Sequence, residues 1–435
     1  METKEDLLAR LYALHRFGIK PGLERINALL EKVGSPHRSL ECVHVAGTNG
    51  KGSVSSLIAA ATAAAGIKTG LYTSPHIQRF NERIKVNGKE IADEDMLRLI
   101  SSLLDASKGT ETTFFEITTA LALLYFVEQG VELAVIESGM GGINDATNVI
   151  TPTVAVITNV ELEHTDYLGS TVEEIALDKA GIIKPGIKAI IGEKKRAASE
   201  VIRKYAEEAG AQALFAESIV KIEDKKYFPD LTIKGSFSFE NGCDLTEFIL
   251  PDLKVGLAGT IQFDNASCAL AALGELAKTY PVTLESIMQG FADVKSMTGL
   301  RGRMDLLRAE PPLIADCAHN PAAAAAVVRT LIEHGLGDVK YDILFSAMSD
   351  KDINGTLKTL APICGNLIAA RPRTPRAELP GNIVSMARSL GYIHAESAPS
   401  MVEGVAKLIE WNRPALVVGS FYLLEDALPL LISQL

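Results

Sequence analysis

The stretch HVAGTNGKGS, residues 44–53, decides the fold of this chain. Val43 to Ala46 has the apolar composition of a strand, and the residues from Val54 onward have the composition of a helix. The glycines between them let backbone N–H groups approach phosphate oxygens, while the helix N-terminus and the ammonium group of Lys51 supply positive charge. This order of strand, glycine-rich loop and helix predicts a binding site for a nucleoside triphosphate.

Seven residues form the predicted phosphate loop. They are Gly47, Thr48, Asn49, Gly50, Lys51, Gly52 and Ser53. The general P-loop pattern has its first glycine where Val45 stands and a serine or threonine where Gly52 stands, so the match is imperfect. The alternative is an ordinary strand-to-helix turn, but turn geometry does not explain a lysine inside the glycine cluster. The loop therefore indicates a nucleotide and leaves the reaction open.

Length and composition predict a large globular protein with more than one domain. The chain has 435 residues, of which 47% are hydrophobic and 22% are charged. At about 150 residues per domain, two or three domains are expected. The net charge of −11 provides no positive field for nucleic acid or for an anionic membrane, so an anionic ligand must be held by a local site.

The cysteines and the first residues of the chain indicate a cytoplasmic protein. Five cysteines are scattered without a Cys-X-X-Cys pair, which disfavours a disulfide framework and a thiolate zinc site. The first residues, METKEDLLARLYALHRFG, lack the apolar segment of a signal peptide, and no run of about 18 apolar residues occurs anywhere. We therefore expect a soluble protein in a reducing cytoplasm.

Short apolar runs, each followed by a segment with helical spacing, predict an α/β fold with parallel sheets. The predicted strands are Cys42 to Ala46, Val131 to Glu137, Thr153 to Thr158, Pro312 to Asp316, Ile343 to Ser346 and Ala415 to Gly419. Two predicted helices, Ser55 to Ala65 and Ala322 to Ile332, start where a strand has just ended. Asn320-Pro321 has the composition of an N-cap followed by proline at the first helical position.

A change of composition predicts a domain boundary. From about Ile222 to Leu253 the chain is rich in aromatic residues, threonine and serine, which predicts a few antiparallel strands added to the first sheet. The segment VKSMTGLRGR at 294–303 lacks periodicity and has the character of a linker. We therefore expect an N-terminal domain at 1–296, a linker at 297–303 and a second α/β domain at 304–435.

The phosphate loop and several further segments resemble the folylpolyglutamate synthases and dihydrofolate synthases, the folate branch of the Mur ligase family. The further segments, in the family's order, are LYTSPHIQRFNERIKVNG (71–88), TFFEITTALALLYF (113–126), ESGMGGINDATN (137–148), LEHTDYLG (162–169), DKAGIIKPG (178–186), ADCAHNPAA (315–323) and SDKD (349–352). The resemblance thus extends over nearly the full length. It implies a P-loop α/β domain and a smaller Rossmann-like domain, with ATP and the substrate amine meeting in the cleft between them.

The resemblance also implies an ATP-dependent amide ligase. The carboxylate of a folate or of 7,8-dihydropteroate would attack the γ-phosphate, and the amino group of L-glutamate would then displace phosphate from the acyl phosphate. Positioning and charge neutralisation would be the main tasks of the protein. One or two Mg²⁺ ions and a monovalent cation are implied as well, and the lack of an oligomerisation stripe favours a monomer.

By the same resemblance, metal and catalytic residues lie near the ends of predicted strands. Glu137 ends the strand VELAVI, where open α/β sheets place their ligands, and Ser74 and His164 complete the implied magnesium site. The alternatives are a helix cap for Glu137 and an ordinary loop histidine for His164. Lys179 matches a lysine that is carbamylated in several relatives, which would turn a cation into a carboxylate-like group; a surface lysine is the alternative.

For the rest of the nucleotide, the resemblance assigns Asn265 to the adenine side, Arg303 to the phosphates and Asp316 to the ribose hydroxyls. An arginine next to a linker can reach phosphate when the domains approach each other. Arg301 is a rival for Arg303, because both flank the same glycine. His319 is a candidate for contact with the γ-phosphate or with the incoming glutamate, and an ordinary loop position is the alternative.

The implied folate or pteroate site consists of Ile19, Gly22, Phe114, Phe115, Glu116 and Asn144. Aromatic rings suit stacking on a pterin, although aromatic residues at helical spacing are as typical of a core. The family often has an acidic residue near the position of Lys20. The lysine at this position counts against activity on dihydropteroate more than against the folylpolyglutamate activity.

Two other functions remain open on the sequence. A Mur ligase for a UDP-muramyl substrate would share the ATP chemistry, but its loop is normally GTNGKT, and the segment TSPHIQRFNERI favours folate. A non-catalytic nucleotide-binding switch would carry a guanine-specifying NKxD motif, and this sequence has none.

Overall fold

The computed structural model describes residues 3–14, 20–239 and 249–435. Its helices are α1 (Lys4–Ala13), α2 (Glu24–Lys32), α3 (Lys51–Ala64), α4 (Asp93–Ala106), α5 (Phe114–Glu128), α6 (Thr165–Leu168), α7 (Val172–Ala180), α8 (Arg196–Glu208), α9 (Ala216–Ile219), α10 (Ile261–Leu276), α11 (Leu284–Ala292), α12 (Val294–Thr298), α13 (Pro321–Glu333), α14 (Ile353–Leu360), α15 (Pro380–Ser389), α16 (Met401–Glu410) and α17 (Phe421–Ile432). Its strands are β1 (Cys42–Ala46), β2 (Thr69–Tyr72), β3 (Ile84–Val86), β4 (Lys89–Glu90), β5 (Leu133–Glu137), β6 (Val154–Ile157), β7 (Lys188–Ile191), β8 (Gln212–Phe215), β9 (Val220–Phe228), β10 (Thr232–Phe239), β11 (Ile249–Val255), β12 (Asp305–Arg308), β13 (Leu313–Asp316), β14 (Tyr341–Phe345), β15 (Cys364–Ala369), β16 (Ala395–Ser397) and β17 (Ala415–Val418).

The first sheet brings the phosphate loop together with two neighbouring strand ends. Its strand order is β4-β3-β2-β5-β1-β6-β7-β8. Strands β2, β5, β1, β6, β7 and β8 run parallel to one another, while β3 and β4 form an antiparallel edge. All five residues of β1 are buried, and β1 pairs with β5 on one side and β6 on the other. Because parallel strands end at the same edge, the segments after β1, β5 and β6 converge there.

The predicted antiparallel strands form a sheet of their own rather than an extension of the first sheet. Its order is β11-β10-β9. The short helix α9 separates β8 from β9, and the inward face of β10 packs on α10, where the rings of Phe237 and Phe263 lie 6.2 Å apart. The sheet of β9, β10 and β11 therefore packs on α10 instead of pairing with β8 at the edge of the first sheet.

The second domain is a smaller α/β unit, as predicted. Its sheet has the order β12-β13-β17-β14-β15-β16, in which only β12 is antiparallel to its neighbour. The chain leaves the first domain through α12, which ends at Thr298, and enters this sheet at Asp305. Gly299 and Gly302 between them have φ angles of 66° and 71°, which favour glycine, so the change of direction is built into the linker.

The sequence signals for the two strand-to-helix connections explain where those helices begin. Asn320 accepts a hydrogen bond at Oδ1 from the N–H of Ala323 (2.8 Å), which confirms the predicted N-cap of α13. Helix α3 begins at Lys51, four residues before the predicted start at Ser55. Gly50 precedes it in the left-handed region (φ 85°), so the helix starts inside the phosphate loop itself.

Helix α3 is buried along most of its length and is held by close packing against α11. An added Cβ at Gly290 of α11 would lie 2.4 Å from the backbone nitrogen of Ala61 in α3. Leu57 and Ile58 on α3 are fully buried in the same core. Within the described residues, no helix combines the length and the apolar character needed to cross a membrane.

We expect Gly290→Ala to destabilise the protein by about 1–3 kcal/mol, because the new methyl group forces α11 away from the backbone of α3. Gly381→Ala is the matched control: this helical glycine of α15 is exposed and has no atom within 4 Å of an added Cβ. It should leave the free energy of unfolding unchanged or raise it by up to about 1 kcal/mol. Urea unfolding of both variants measures the difference, and equal stabilities would contradict the packing described here.

Candidate active site

The phosphate loop is braced by the segment that follows β6. The N–H of Thr48 donates to the carbonyl oxygen of Asn159 (2.8 Å), and the N–H of Asn49 donates to Oδ1 of the same residue (2.7 Å). Thr158 donates its hydroxyl to the carbonyl oxygen of Asn49 (2.7 Å). A Cβ at Gly47 would lie 1.9 Å from that hydroxyl oxygen, so glycine is required for this close approach.

Two lysines converge on one carbonyl group of the loop. The Nζ atoms of Lys51 and of Lys179, a residue of α7, each lie 3.0 Å from the carbonyl oxygen of Gly47. Lys179 is only 3% exposed. Burial, and then the charge of Lys51, lowers the pKa of Lys179 to about 7. The amine of Lys179 is therefore substantially neutral near physiological pH, unlike a surface lysine.

Glu137 lies at the carboxyl end of β5 beside the phosphate loop, with Ser74. Its Oε2 accepts the N–H of Ser74 (3.0 Å), and the carboxylate is buried. Burial raises the pKa of Glu137, while the positive charge of Lys51 opposes this rise. A Cβ on Gly52 would lie 3.6 and 3.7 Å from the two carboxylate oxygens, so this acid faces the first turn of α3.

Arg303 reaches the phosphate loop from the linker. Its Nη2 would be 3.7 Å from a Cβ on Gly52, and its guanidinium lies 5.6 Å from the ring centre of Phe421 in the second domain. Nη1 also contacts the sulfur of Cys317. Arg301 instead pairs with Asp305 (3.4 Å) and is 41% exposed. Between the two rival arginines, Arg303 is the one that lies beside Gly52, on which Glu137 also faces.

The other two residues assigned to the nucleotide have partners within the protein. Asn265, on α10, donates to Oε1 of Gln262 (2.8 Å), and its Oδ1 would be 2.4 Å from a Cβ on Gly50. Asp316 accepts the N–H groups of Met304 and Ala318, each at 2.8 Å. Asn265 therefore touches the phosphate loop, and Asp316 ties the linker to the loop after β13.

His164 and His319 both lie near one carboxylate. Nε2 of His319 is 3.2 Å from Oε1 of Glu163, and Nε2 of His164 is 3.9 Å from the same atom. Burial lowers the pKa of His164 to about 4; the charge of Lys351 adds to this shift, and that of Glu163 opposes it. The neutral form of imidazole is the one that binds a metal.

Sequence reasoning missed Glu163 and Lys351 as members of this site. Nζ of Lys351 donates to Oε1 of Glu163 (3.0 Å), although 188 positions separate the two residues. Both residues lie inside segments that resemble family motifs, LEHTDYLG and SDKD. The opposite charges of Glu163 and Lys351 were the signal that the sequence offered. No pattern of residue spacing, however, predicts a contact between positions so far apart.

The aromatic residues assigned to folate lie at the start of α5, beside a buried arginine. The ring of Phe114 stacks on Tyr12 (5.6 Å between ring centres), and the guanidinium of Arg83 lies 5.3 Å from its ring centre. Phe115 is partly buried, and its ring fills the space over Gly139. Arg83 was not singled out from the sequence.

The remaining folate candidates are dispersed. Glu116 is buried, accepts from Nε of Arg25 (3.0 Å) and accepts the N–H of Thr113 (2.7 Å), so it closes the N-terminal cap of α5. Asn144 is exposed, and Gly22 has a φ angle of 111°. Ile19 lies outside the described residues.

Comparison with known proteins gives the family. A model of the Mur ligase middle domain matches residues 45–273, and a model of the Mur ligase glutamate ligase domain matches residues 302–421. The chain is 33% identical to a dihydrofolate synthase/folylpolyglutamate synthase of Bacillus subtilis over 433 residues, 97% of each chain.

Solved structures agree with this relationship. The fold matches a Mycobacterium tuberculosis folylpolyglutamate synthase complexed with ADP and AMPPCP (TM-score 0.88, 28% identity, 99% of each chain). It also matches a bifunctional folylpolyglutamate synthase/dihydrofolate synthase with Mn, AMPPNP and L-glutamate bound (TM-score 0.84, 28% identity, 97% of each chain). These matches favour the folate branch over a UDP-muramyl ligase and over a non-catalytic switch. The chain therefore belongs to the folylpolyglutamate synthase/dihydrofolate synthase branch of the Mur ligase family.

Proposed function

We propose that this enzyme joins the amino group of L-glutamate to the carboxylate of a folate, of 7,8-dihydropteroate, or of both, at the expense of ATP. The observation that carries the proposal is the meeting of both domains at the phosphate loop, where Lys51, Glu137 and Arg303 surround the start of α3. The relatives are named for this activity, and one related structure holds AMPPNP and L-glutamate together.

The chemistry proceeds in two displacements. A carboxylate oxygen of the acceptor attacks the γ-phosphorus and ADP leaves, which gives an acyl phosphate. The glutamate nitrogen then attacks the acyl carbon, phosphate leaves with the acyl–oxygen electron pair, and the nitrogen loses its proton to a base. Lys51, the N-terminus of α3 and Arg303 would neutralise the charge that moves along the phosphates.

The residues present fit a magnesium ion at Glu137. The carboxylate is buried beside Ser74, and Oγ of Ser53 is buried with no hydrogen-bond partner in the part of the chain that the structure describes. No group of three His, Cys, Asp or Glu side chains that could hold a metal occurs among the described residues. This donor set suits Mg²⁺, which usually takes one or two carboxylates and completes its coordination with phosphate oxygens and water. When bound, the ion would offset phosphate charge and orient the γ-phosphate.

Lys179 is proposed to be carbamylated. Its buried amine with a pKa of about 7 is the nucleophile that carbamylation requires: Nζ attacks the carbon of CO₂, an N–C bond forms, and one proton is released. The anion formed would lie beside the ammonium group of Lys51, whose Nζ contacts the same Gly47 carbonyl oxygen as Nζ of Lys179. The change would add an attraction between the two side chains.

The remaining proposals concern the setting of the reaction. A monovalent cation would assist the phosphates, the enzyme would act as a monomer, and Asn265 and Asp316 would contact the nucleoside. The scattered cysteines and the acidic net charge of −11 support a cytoplasmic location.

Purified enzyme with ATP and Mg²⁺ should release ADP only when both L-glutamate and a folate or dihydropteroate are present. We expect the product mass to exceed that of the acceptor by one glutamyl residue. Parallel reactions with 7,8-dihydropteroate and with tetrahydrofolate, followed by mass spectrometry, identify the acceptor. ADP release that is independent of glutamate would contradict the proposed function.

Glu137→Gln should lower kcat by about 100-fold or more and raise the Mg²⁺ concentration needed for half-maximal activity, because an amide oxygen binds Mg²⁺ far more weakly than a carboxylate. The isosteric control is Glu128→Gln on the exposed face of α5, where the side chain pairs with Arg98 (2.6 Å). Titration of both variants with Mg²⁺ measures the effect. A Glu137→Gln enzyme with unchanged Mg²⁺ dependence would refute the metal site.

Lys179→Ala should lower kcat by about 100-fold, whereas Lys184→Ala, a half-buried lysine five residues later, should remain close to wild type. With ¹³C-labelled CO₂ at fixed pressure, a carbamate signal should grow as pH rises through about 7. The reason is that the neutral amine, which reacts, replaces the ammonium form as the pH passes the pKa of Lys179. The measurement is ¹³C NMR of wild type and both variants. A signal of equal size in Lys179→Ala would disprove the assignment.

A further inference from the structure

Glu163 connects the two domains beside the phosphate loop. Its Oε1 lies 3.0 Å from Nζ of Lys351 and 3.2 Å from Nε2 of His319, both of which belong to the second domain. The side chain of Glu163 is only 14% exposed. Burial alone would raise the pKa of Glu163, but the bond from His319 and the charge of Lys351 hold it well below its usual range. The contact is therefore between a carboxylate and two donors from the other domain.

The ring of His319 spans two oxygen atoms. Nδ1 of His319 lies 3.1 Å from the carbonyl oxygen of Cys317, while Nε2 faces the carboxylate of Glu163. The contact with the Cys317 carbonyl group fixes the orientation in which the ring meets Glu163.

The positions of His319 and Lys351 are set by two helix caps. His319 precedes Asn320, which caps α13, and Lys351 precedes Asp352, whose Oδ1 accepts the N–H of Gly355 (2.8 Å) at the start of α14. Both donors thus lie at the N-terminal ends of helices, where partial positive charge also favours a carboxylate.

Glu163 in turn is held close to the nucleotide loop. The segment before it is tied to the loop, because Thr48 donates its N–H to the carbonyl oxygen of Asn159 and accepts the N–H of Glu161 at its hydroxyl (3.0 Å). Only one residue separates Glu161 from Glu163. The interdomain contact of Glu163 thus lies next to the segment that braces the phosphate loop.

We propose that Glu163 is a positioning residue whose carboxylate holds Lys351 and His319, and with them the second domain, closed over the phosphate loop. Arg303 of the linker and the groups of the second domain then reach the phosphates only while this contact is made. The inference rests on the proposed function for its kinetic consequence, but the closure itself does not require that the reaction be known.

A double-mutant cycle tests whether Glu163 acts through Lys351. Glu163→Gln should lower kcat about tenfold in the wild-type background, since an interdomain charge pair is lost. In the Lys351→Met background the same change should cost about threefold or less, because its partner is already missing. A merely structural role of Glu163 would instead give effects that multiply.

The compactness of the full chain provides the second readout. Small-angle X-ray scattering with Mg²⁺ and AMPPNP should give a larger radius of gyration for Glu163→Gln and for Lys351→Met than for wild type. Glu128→Gln is the matched control, because Glu128 pairs with Arg98 within the first domain, away from the phosphate loop. It should keep the radius of gyration and kcat of the wild type.

Two results overturn the proposal: effects on kcat that multiply in the double variant, or a radius of gyration in both single variants equal to that of wild type. If circular dichroism shows that Glu163→Gln does not fold, Lys351→Met tests the same contact from the other domain. If wild type forms no amide, the proposed function fails, and the scattering comparison still decides whether Glu163 holds the domains together.

Discussion

The carbonyl oxygen of Gly47 receives hydrogen bonds from two lysines, and the site depends on this arrangement. Lys51 comes from the helix that follows the loop, and Lys179 comes from α7. Burial, and then the charge of Lys51, lowers the pKa of Lys179 to about 7. The nucleotide loop is thus already arranged to receive negative charge.

Neither domain alone completes the site. The first domain supplies the loop, Glu137 and Ser74, which lie together because parallel strands end at one edge of the sheet. The linker and the second domain supply Arg303 and the partners of Glu163. Charged side chains from both sides of the cleft therefore lie near the loop. A ligase needs such a cleft, since it must admit three substrates and then exclude water.

The departure of the loop from the general P-loop pattern has a structural counterpart. Gly52 stands where that pattern has a serine or threonine, and the hydroxyl of the next residue, Ser53, is buried without a hydrogen-bond partner among the described residues. The same turn of α3 faces Glu137 of the first domain and Arg303 of the linker. A hydroxyl, a carboxylate and a guanidinium group thus lie at or beside the first turn of α3.

The sequence by itself determined the local elements, and the tertiary structure decided the partners. Strand β1, the N-cap Asn320 and the glycine-rich turn follow from patterns within a few residues, because strand burial, capping and positive φ angles are local properties. The resemblance of further segments to family motifs indicated which reaction the chain catalyses. The contact of Glu163 with Lys351 joins positions 188 residues apart, and the choice of Arg303 over Arg301 depends on which side chain the linker turns inward. Distances and burial of that kind arise only when the two domains pack together, because no sequence pattern encodes which distant charges will face each other.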